Sequence, residues 1–345
     1  MATPVVGFSD LPTEALDEIA RRAGPLDNII CAAVCRSWRR ALKTARLRLL
    51  GRRPDRPHEM HVENRWPRPT FVKVRPYYTD IAQWSIQTPA KADPARIIGC
   101  SHGWLVTVDD HTWVVSLFDP LTGRSFPLPP FAYGTDKQLR ELREKFRFGR
   151  SMFQKAALAP GRRLGTCAVM LLHSDGRGLS YLRPGGSTWS TVRPPRGMPH
   201  RYLDVIFHRG AFYTVSCYAE LNAWVADGGG GLRTRRLTNP LREQVSAVLL
   251  VESMSRDGIL MVNNTDPPGY NYYYRQRQYT VRRYGERERR WLPVENLEEM
   301  TIEVGGELSF CVPRSFDEFD NGDGPVKACR SYCFFPYVPR LDPTL

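Results

Sequence analysis

The stretch VIFHRGAFYTV, residues 205–215, decides how this chain is read. Two apolar runs, 205–207 and 211–215, flank His208-Arg209-Gly210, the composition of a strand, a tight turn and a second strand. The same shape returns downstream in ESMSRDGILMV (252–262) and TIEVGGELSFCV (301–312), and Gly210, Gly258 and Gly306 stand 48 residues apart. Upstream, IIGCSHGWLVTV (97–108) has that shape around Gly103. The gap from Gly103 to Gly210 holds about two such periods, with RRLGTCAVMLL (162–172) around Gly165 between them.

The units also close alike. LFDPLTGRSFPLPP (117–130), YLRPGGSTWSTVRPP (181–195) and VRRYGERERRWLPV (281–294) each read as a strand, a turn and an aromatic-bearing strand. A four-stranded unit recurring about every 50 residues is the mark of a β-propeller blade. Five units are visible, and FVKVRPYYTDIAQWSIQ (71–87) adds a strand or part of a further blade. The fold class expected is mainly β, a C-terminal propeller of about five to six blades behind a small all-α module.

That module is the first 47 residues. In LPTEALDEIARRAG (11–24), Pro12 stands near a helix start, and Glu14 and Asp17 near the positive end of its dipole. Leu16, Ile19, Ala20 and Ala23 recur at helical spacing before Gly24-Pro25 stops the run. Asp27 can cap a second helix, NIICAAVC, and RSWRRALKTARLRLL puts Trp38, Leu42 and Ala45 on one stripe. Three short helices of this total length struggle to bury their own apolar surface. Either the rest of the chain or a partner must cover them.

The stretch DLPTEALDEIARRAGPLDNIICAAVCRSWRRAL (10–42) resembles an F-box. The resemblance rests on Leu11-Pro12, on Ile19, on Leu26 and Ile29, and on Val34-Cys35-Arg36-Ser37-Trp38-Arg39. It implies docking on the Skp-type linker of a cullin-based ubiquitin ligase, and through it on cullin and RING subunits. Leu11, Pro12, Leu16, Ile19, Ile29, Val34, Cys35 and Trp38 are the residues expected to make or support that contact. From about residue 70 the chain resembles plant F-box proteins that carry the domain of unknown function 295, a KIB-type β-propeller. GCSHGWLVTVDD, LFDPLTGRSFPLPP, FQKAALAP, LRPGGSTW, YLDVIFHRGAFYTV, LLVES and VGGELSFCVPRS carry it, in the family's order. The domain reading is 8–48 for the helical module, 49–69 for a basic linker and 70–340 for the propeller.

Composition agrees with such a chain: 345 residues, 42% hydrophobic and 25% charged. No apolar run reaches the ~20 residues that cross a bilayer, so no membrane association is expected. The N-terminus lacks a basic segment and turns acidic early, unlike a signal peptide. Eight cysteines in a chain of this type read as reduced thiols, which points to the cytoplasm or nucleus. The net charge of +13 is concentrated between Arg36 and Arg56, where nine Lys or Arg face one acid, Asp55. A nucleic-acid-binding or scaffold protein without a ligase role is the alternative this block raises. The block offers no base-reading chemistry, so a solvated helix face running into a basic linker is the expected reading.

Several motifs mimic catalytic sites. Gly99-Cys100-Ser101-His102-Gly103 spells the G-x-S-x-G nucleophile elbow. An elbow needs a helix after the serine, and WLVTV followed by WVVSLF reads as a hairpin instead. Cys329 and Cys333, four apart on a strand, lie ~13 Å from each other, too far for one metal ion. Cys31 and Cys35 sit one helical turn apart on an apolar face and read as small buried hydrophobes. HEMH (58–61) misses the zinc-protease spacing and falls in the linker, while DEFDNGDG (317–324) lacks EF-hand ligands. KQLRELREKFRFGR (137–150) reads as a basic helical insertion, either a surface helix or a partner contact. Neither a cofactor nor a metal is called for, and no catalytic residue is assigned.

The remaining expectation concerns target recognition. The turns around His102, Arg209, Arg256 and Gly305 hold equivalent places in successive units and should cluster on one face. His102, Arg209 and Arg256 would make that face polar and partly cationic, suited to an acidic or phosphorylated segment. The competing reading is that these side chains only satisfy turn carbonyls.

Overall fold

The computed structural model describes residues 11–22, 31, 35, 36, 38 and 39 of the helical module. Beyond it are described 58–63, 71–76, 84–87, 96–101, 104–109, 112–119, 124–131, 141–142, 144–146, 152–159, 167–194, 201–245, 248–252, 258–264, 279–295, 297, 300–304, 309–313, 326–328 and 332–334. Helix α1, Thr13–Arg22, follows Pro12, whose carbonyl accepts the first intrahelical bond from Leu16 N at 3.1 Å. Pro12 therefore sits at the cap, where its missing N–H is no loss. Cys31, Arg36, Trp38 and Arg39 are also helical.

The β strands form five four-stranded sheets and one three-stranded sheet among the described residues. The first sheet joins β1 (His58–Glu63), β2 (Phe71–Pro76) and β3 (Trp84–Gln87). The second is β4 (Arg96–Ser101), β5 (Trp104–Val108), β6 (Val115–Asp119) and β7 (Arg124–Pro127). The third is β8 (Phe153–Ala159), β9 (Ala168–His173), β10 (Gly178–Leu182) and β11 (Ser190–Val192). The fourth is β12 (Tyr202–His208), β13 (Ala211–Ser216), β14 (Leu221–Ala226) and β15 (Leu232–Arg236). The fifth is β16 (Val248–Glu252), β17 (Ile259–Asn264), β18 (Tyr279–Gly285) and β19 (Arg290–Pro293). The sixth holds β20 (Met300–Val304), β21 (Ser309–Pro313) and β22 (Val326–Ala328). A last strand, β23 (Tyr332–Phe334), pairs antiparallel with β1 in the first sheet.

Sheets two to five are simple meanders, as 48-residue steps around a shared turn require. The sixth differs, with order β21-β20-β22 and β22 parallel to β20. In the sequence, β21 and β22 are separated by 314–325, which contains the acidic DEFDNGDG. One expectation is corrected here. Residues 58–63 fall within the stretch read as linker, yet they form β1. The sequence HEMHVE alternates Met60 and Val62 with polar neighbours, a strand period hidden inside a basic segment.

The core lies between sheets, not within them. One cluster joins Ile98, Val106, Val115 and Leu117 of the second sheet to Phe153, Leu158, Val169 and Leu171 of the third. The next joins Ala168, Met170 and Leu172 to Val205, Phe212 and Trp224 of the fourth. Strand β9 thus sends alternate residues to opposite neighbours, and both sides are dry. That is why AVMLLH reads as a continuous apolar run with no polar alternation. Each such large side chain contributes about 1.5–3 kcal/mol on full burial. The third and fourth clusters continue the series through Leu250 and Met261 of the fifth sheet to Ile302 of the sixth. Glu141, Leu142, Glu144 and Lys145 are helical, and the first cluster takes in buried Phe146 with Leu142 packed beside it.

Candidate docking and recognition surfaces

The helical module has its own small interior. Leu16, 2% exposed, and Trp38, 7% exposed, pack together, with Leu11, Ile19, Cys31 and Cys35 half-buried against them. The set expected to face a linker therefore divides. Leu16 and Trp38 hold the helices to one another; Leu11, Ile19 and Cys35 keep part of their surface outward, and Pro12 is exposed. Ile29 and Val34 lie outside the described residues. Cys31 and Cys35 form no disulfide and pack on this apolar pair.

The serine motif resolves into propeller architecture. Ser101 ends β4 and pairs with Trp104 at the start of β5, so a hairpin follows it and no helix does. Ser101 Oγ donates to the Leu158 carbonyl of β8 at 3.0 Å. A Cβ on Gly99 would stand 2.1 Å from the Ala156 carbonyl oxygen. The first glycine of the motif thus permits β4 to lie against β8, and its serine ties the two strands together.

Ties of this kind recur between successive first strands. Arg96 Nη2 donates to Phe153 O at 2.8 Å. Asp204, fully buried on β12, pairs with Lys155 Nζ of β8 at 2.5 Å and accepts Leu250 N of β16 at 2.7 Å. One carboxylate therefore bridges three sheets. Farther along, His208 Nδ1 of β12 lies 3.0 Å from Glu252 Oε1 of β16. The partners advance in the same order on both strands, so β4 runs with β8 and β12 with β16. The turns that leave these strands consequently emerge at one end, where the third turn of each meander also lies.

Arg209 and Gly210 form that turn in the fourth sheet, with φ of 44° and 83°. Both values are positive, as a two-residue type I′ hairpin demands. Arg209 is exposed; His102 and Arg256, its expected companions, lie outside the described residues. Sequence reasoning passed over Tyr213, Arg235, Tyr284 and Arg289. Burial raises the phenols of Tyr213 and Tyr284 above their ordinary value, and Glu286 adds to this while Arg235 opposes it at both. Both hydroxyls therefore remain donors. The register gives the signal that could have found part of this group: Tyr213 pairs with Ala223, which pairs with Arg235, so all three share one face.

His173 is a second residue no motif announces. Its ring nitrogens lie 3.0 Å from Ser174 Oγ and Ser180 Oγ, and its ring centroid is 5.0 Å from that of Phe131. Burial lowers its pKa to about 4. A neutral imidazole this weakly basic is a poor general base at neutral pH. Among the described residues there is no group of three His, Cys, Asp or Glu placed to hold a metal.

Comparison with known proteins matches both parts of the chain. The F-box domain model matches residues 8–50, and the KIB1-4 beta-propeller model matches residues 76–322. The chain belongs to the KIB1-4 beta-propeller family. This KIB1-4 protein is 25% identical over 351 residues to the F-box protein SKIP23 of Arabidopsis thaliana, across 90% of this chain and 81% of that one. Among solved structures, YCF48 from Cyanidioschyzon merolae matches at 12% identity and TM-score 0.35, over 61% of this chain and 60% of that chain. A protein from Lactobacillus plantarum matches at 9% identity and TM-score 0.41, over 70% and 66%. The F-box implies a Skp1-type partner, and its union with a propeller fits an adaptor in place of an enzyme.

Proposed function

We propose that this protein is the substrate-recognition adaptor of an SCF-type ubiquitin ligase, working in the cytoplasm or nucleus. The observation that carries the reading is the presence of an F-box and a KIB1-4 propeller in one chain. The F-box would bind the Skp-type linker, and through it cullin and RING subunits, by way of Leu11, Pro12, Ile19 and Cys35. Leu16 and Trp38 would keep those residues in register from behind. The propeller would hold a target protein. The chain then forms no bond itself; it raises the effective concentration of the target beside the ubiquitin-charged enzyme.

Capture of the full chain from cells tests this, with Leu11→Ala and Ile19→Ala combined as the variant. The wild type should carry the linker and cullin subunits, and the variant should lose them while the propeller melts normally. Equal linker capture by both proteins would remove the proposal.

A further inference from the structure

The fourth and fifth sheets meet along a packed seam whose margin carries arginine and tyrosine side chains. On the fourth-sheet side the register aligns Ile206, Tyr213, Ala223 and Arg235 in one row across β12 to β15. On the fifth-sheet side Tyr284 stands edge-on to Trp291, with centroids 6.2 Å apart. Both tyrosines are half-buried and pack on the apolar cluster that joins the two sheets. Arg289 spans the seam, donating through Nη2 to the Arg236 carbonyl at 3.3 Å. Arg209 stands at the same end, beside His208, whose ring lies 6.0 Å from that of Tyr213.

Two of these arginines occupy backbone positions that disfavour a side chain. Arg209 has φ of 44° and Arg289 has φ of 52°, the left-handed region that glycine or asparagine fills more cheaply. Each such residue costs on the order of 1 kcal/mol or more. Both side chains are exposed, and Arg289 also ties the seam through the Arg236 carbonyl. Arg235 is exposed as well; the acids nearby are Glu286 and Glu288, in the same turn as Arg289, and Glu252, which pairs with His208. The two phenols feel these same charges, Arg209 and Arg235 at Tyr213, Arg235 and Arg289 at Tyr284, and each other. Tyr213 and Arg235 lie on one face of the fourth sheet and Arg289 reaches across to the carbonyl of the next residue, so these groups border one seam.

The geometry points to a recognition site for a phosphorylated peptide segment at the margin of this seam, with Arg209, Arg235 and Arg289 binding the phosphoryl oxygens and Tyr213 and Tyr284 donating from beneath. Three guanidiniums and two phenols supply many donors, and a phosphoryl group offers three strong acceptor oxygens carrying nearly two negative charges. A single carboxylate offers two oxygens and one charge. The tyrosine rings give the flanking peptide an aromatic floor. This site deepens the adaptor reading by naming the chemistry of the target that the propeller would hold.

The test uses the immobilised full chain and a library of 12-residue peptides with a fixed central phosphoserine. The same library with serine, inorganic phosphate as competitor, and a 20-nucleotide single strand are the other arms. Phosphopeptides should be retained at least 10-fold over the serine library, and Arg235→Glu with Arg289→Glu should remove the preference. Tyr213→Phe with Tyr284→Phe keeps the packing and should weaken retention several-fold, which guards against misfolding of the charge variant. Equal retention of both libraries would overturn the site, as would a preference that survives the arginine changes. So would oligonucleotide retention, lost in the variant, without any phosphopeptide preference. Linker capture from cell extract by the same proteins separates the outcomes: a failed site leaves it intact, whereas a failed adaptor reading abolishes it in the wild type too.

Discussion

His173 should make the propeller lose stability on mild acidification. The imidazole is wedged between two serine hydroxyls and the Phe131 and Phe153 rings, and burial holds its folded pKa near 4 against an ordinary 6.5. The unfolded chain therefore binds a proton between those values that the folded chain refuses. Stability contributed by the neutral ring is complete above pH 6.5 and falls as pH drops toward 4. The separation of the two values corresponds to about 3 kcal/mol in full, of which about 2 kcal/mol is gone at pH 5. For a domain of this size that is a drop in Tm of roughly 4 °C between pH 7 and pH 5 from this residue alone. Carboxylates add their own acid dependence, so the informative quantity is the difference from His173→Gln, whose amide can still meet Ser180. The variant should be less stable at pH 7 but should lose much less between pH 7 and pH 5. Thermal melts by circular dichroism at half-unit pH steps measure both. Parallel pH profiles for the two proteins would refute the reasoning, because the slope would then belong to other groups.

Gly99→Ala should lower the melting temperature by several degrees without altering linker capture, since its Cβ would collide with the Ala156 carbonyl and force β4 off β8; an unchanged melt would show that the strands can separate freely. Asp204→Asn should cost about 3–5 kcal/mol, because it leaves the Lys155 ammonium buried beside a neutral amide, and chemical denaturation gives the figure. Lys155→Met should cost a comparable amount, because it leaves the fully buried Asp204 carboxylate without its counter-charge; a mild loss would show that packing alone matters there. Trp38→Ala should unfold the helical module, visible as lost helical ellipticity with an intact propeller melt, whereas a variant that keeps its helix content would place Trp38 outside the module's interior.

Much of the propeller was legible because its signal is periodic. The 48-residue steps between Gly210, Gly258 and Gly306 locate three first turns, and the hairpin after Ser101 follows from the apolar runs around it. What escaped was set by contacts across sheets. Asp204 sits in YLDVIF, where an acid reads as a solvent-facing residue of a strand, yet it is fully buried because two neighbouring sheets supply its partners. His173 ends an apolar run and gives no spacing that marks it. Strand β1 was masked by its basic surroundings, and β23 pairs with residues far upstream that no local pattern names. At the helical module the residue types were readable, but apolar periodicity alone did not separate Leu16 and Trp38, which face each other, from Leu11 and Ile19 at the margin.

The pairing of β23 with β1 has a consequence for how the protein is made. Tyr332–Phe334 lies some 270 residues downstream of the strand it completes. At about 5–20 residues per second, a ribosome needs roughly 15–55 s to deliver it after β1 has emerged. Through that interval β1 presents an unpaired edge to the surrounding solution, the kind of edge that recruits foreign strands. HEMHVE carries two histidines and two glutamates in its six residues, and such charge-bearing side chains are what keep a waiting edge from pairing with the wrong chain. Of the described strands β23 is the last to emerge, and it closes the first sheet through three residue pairs.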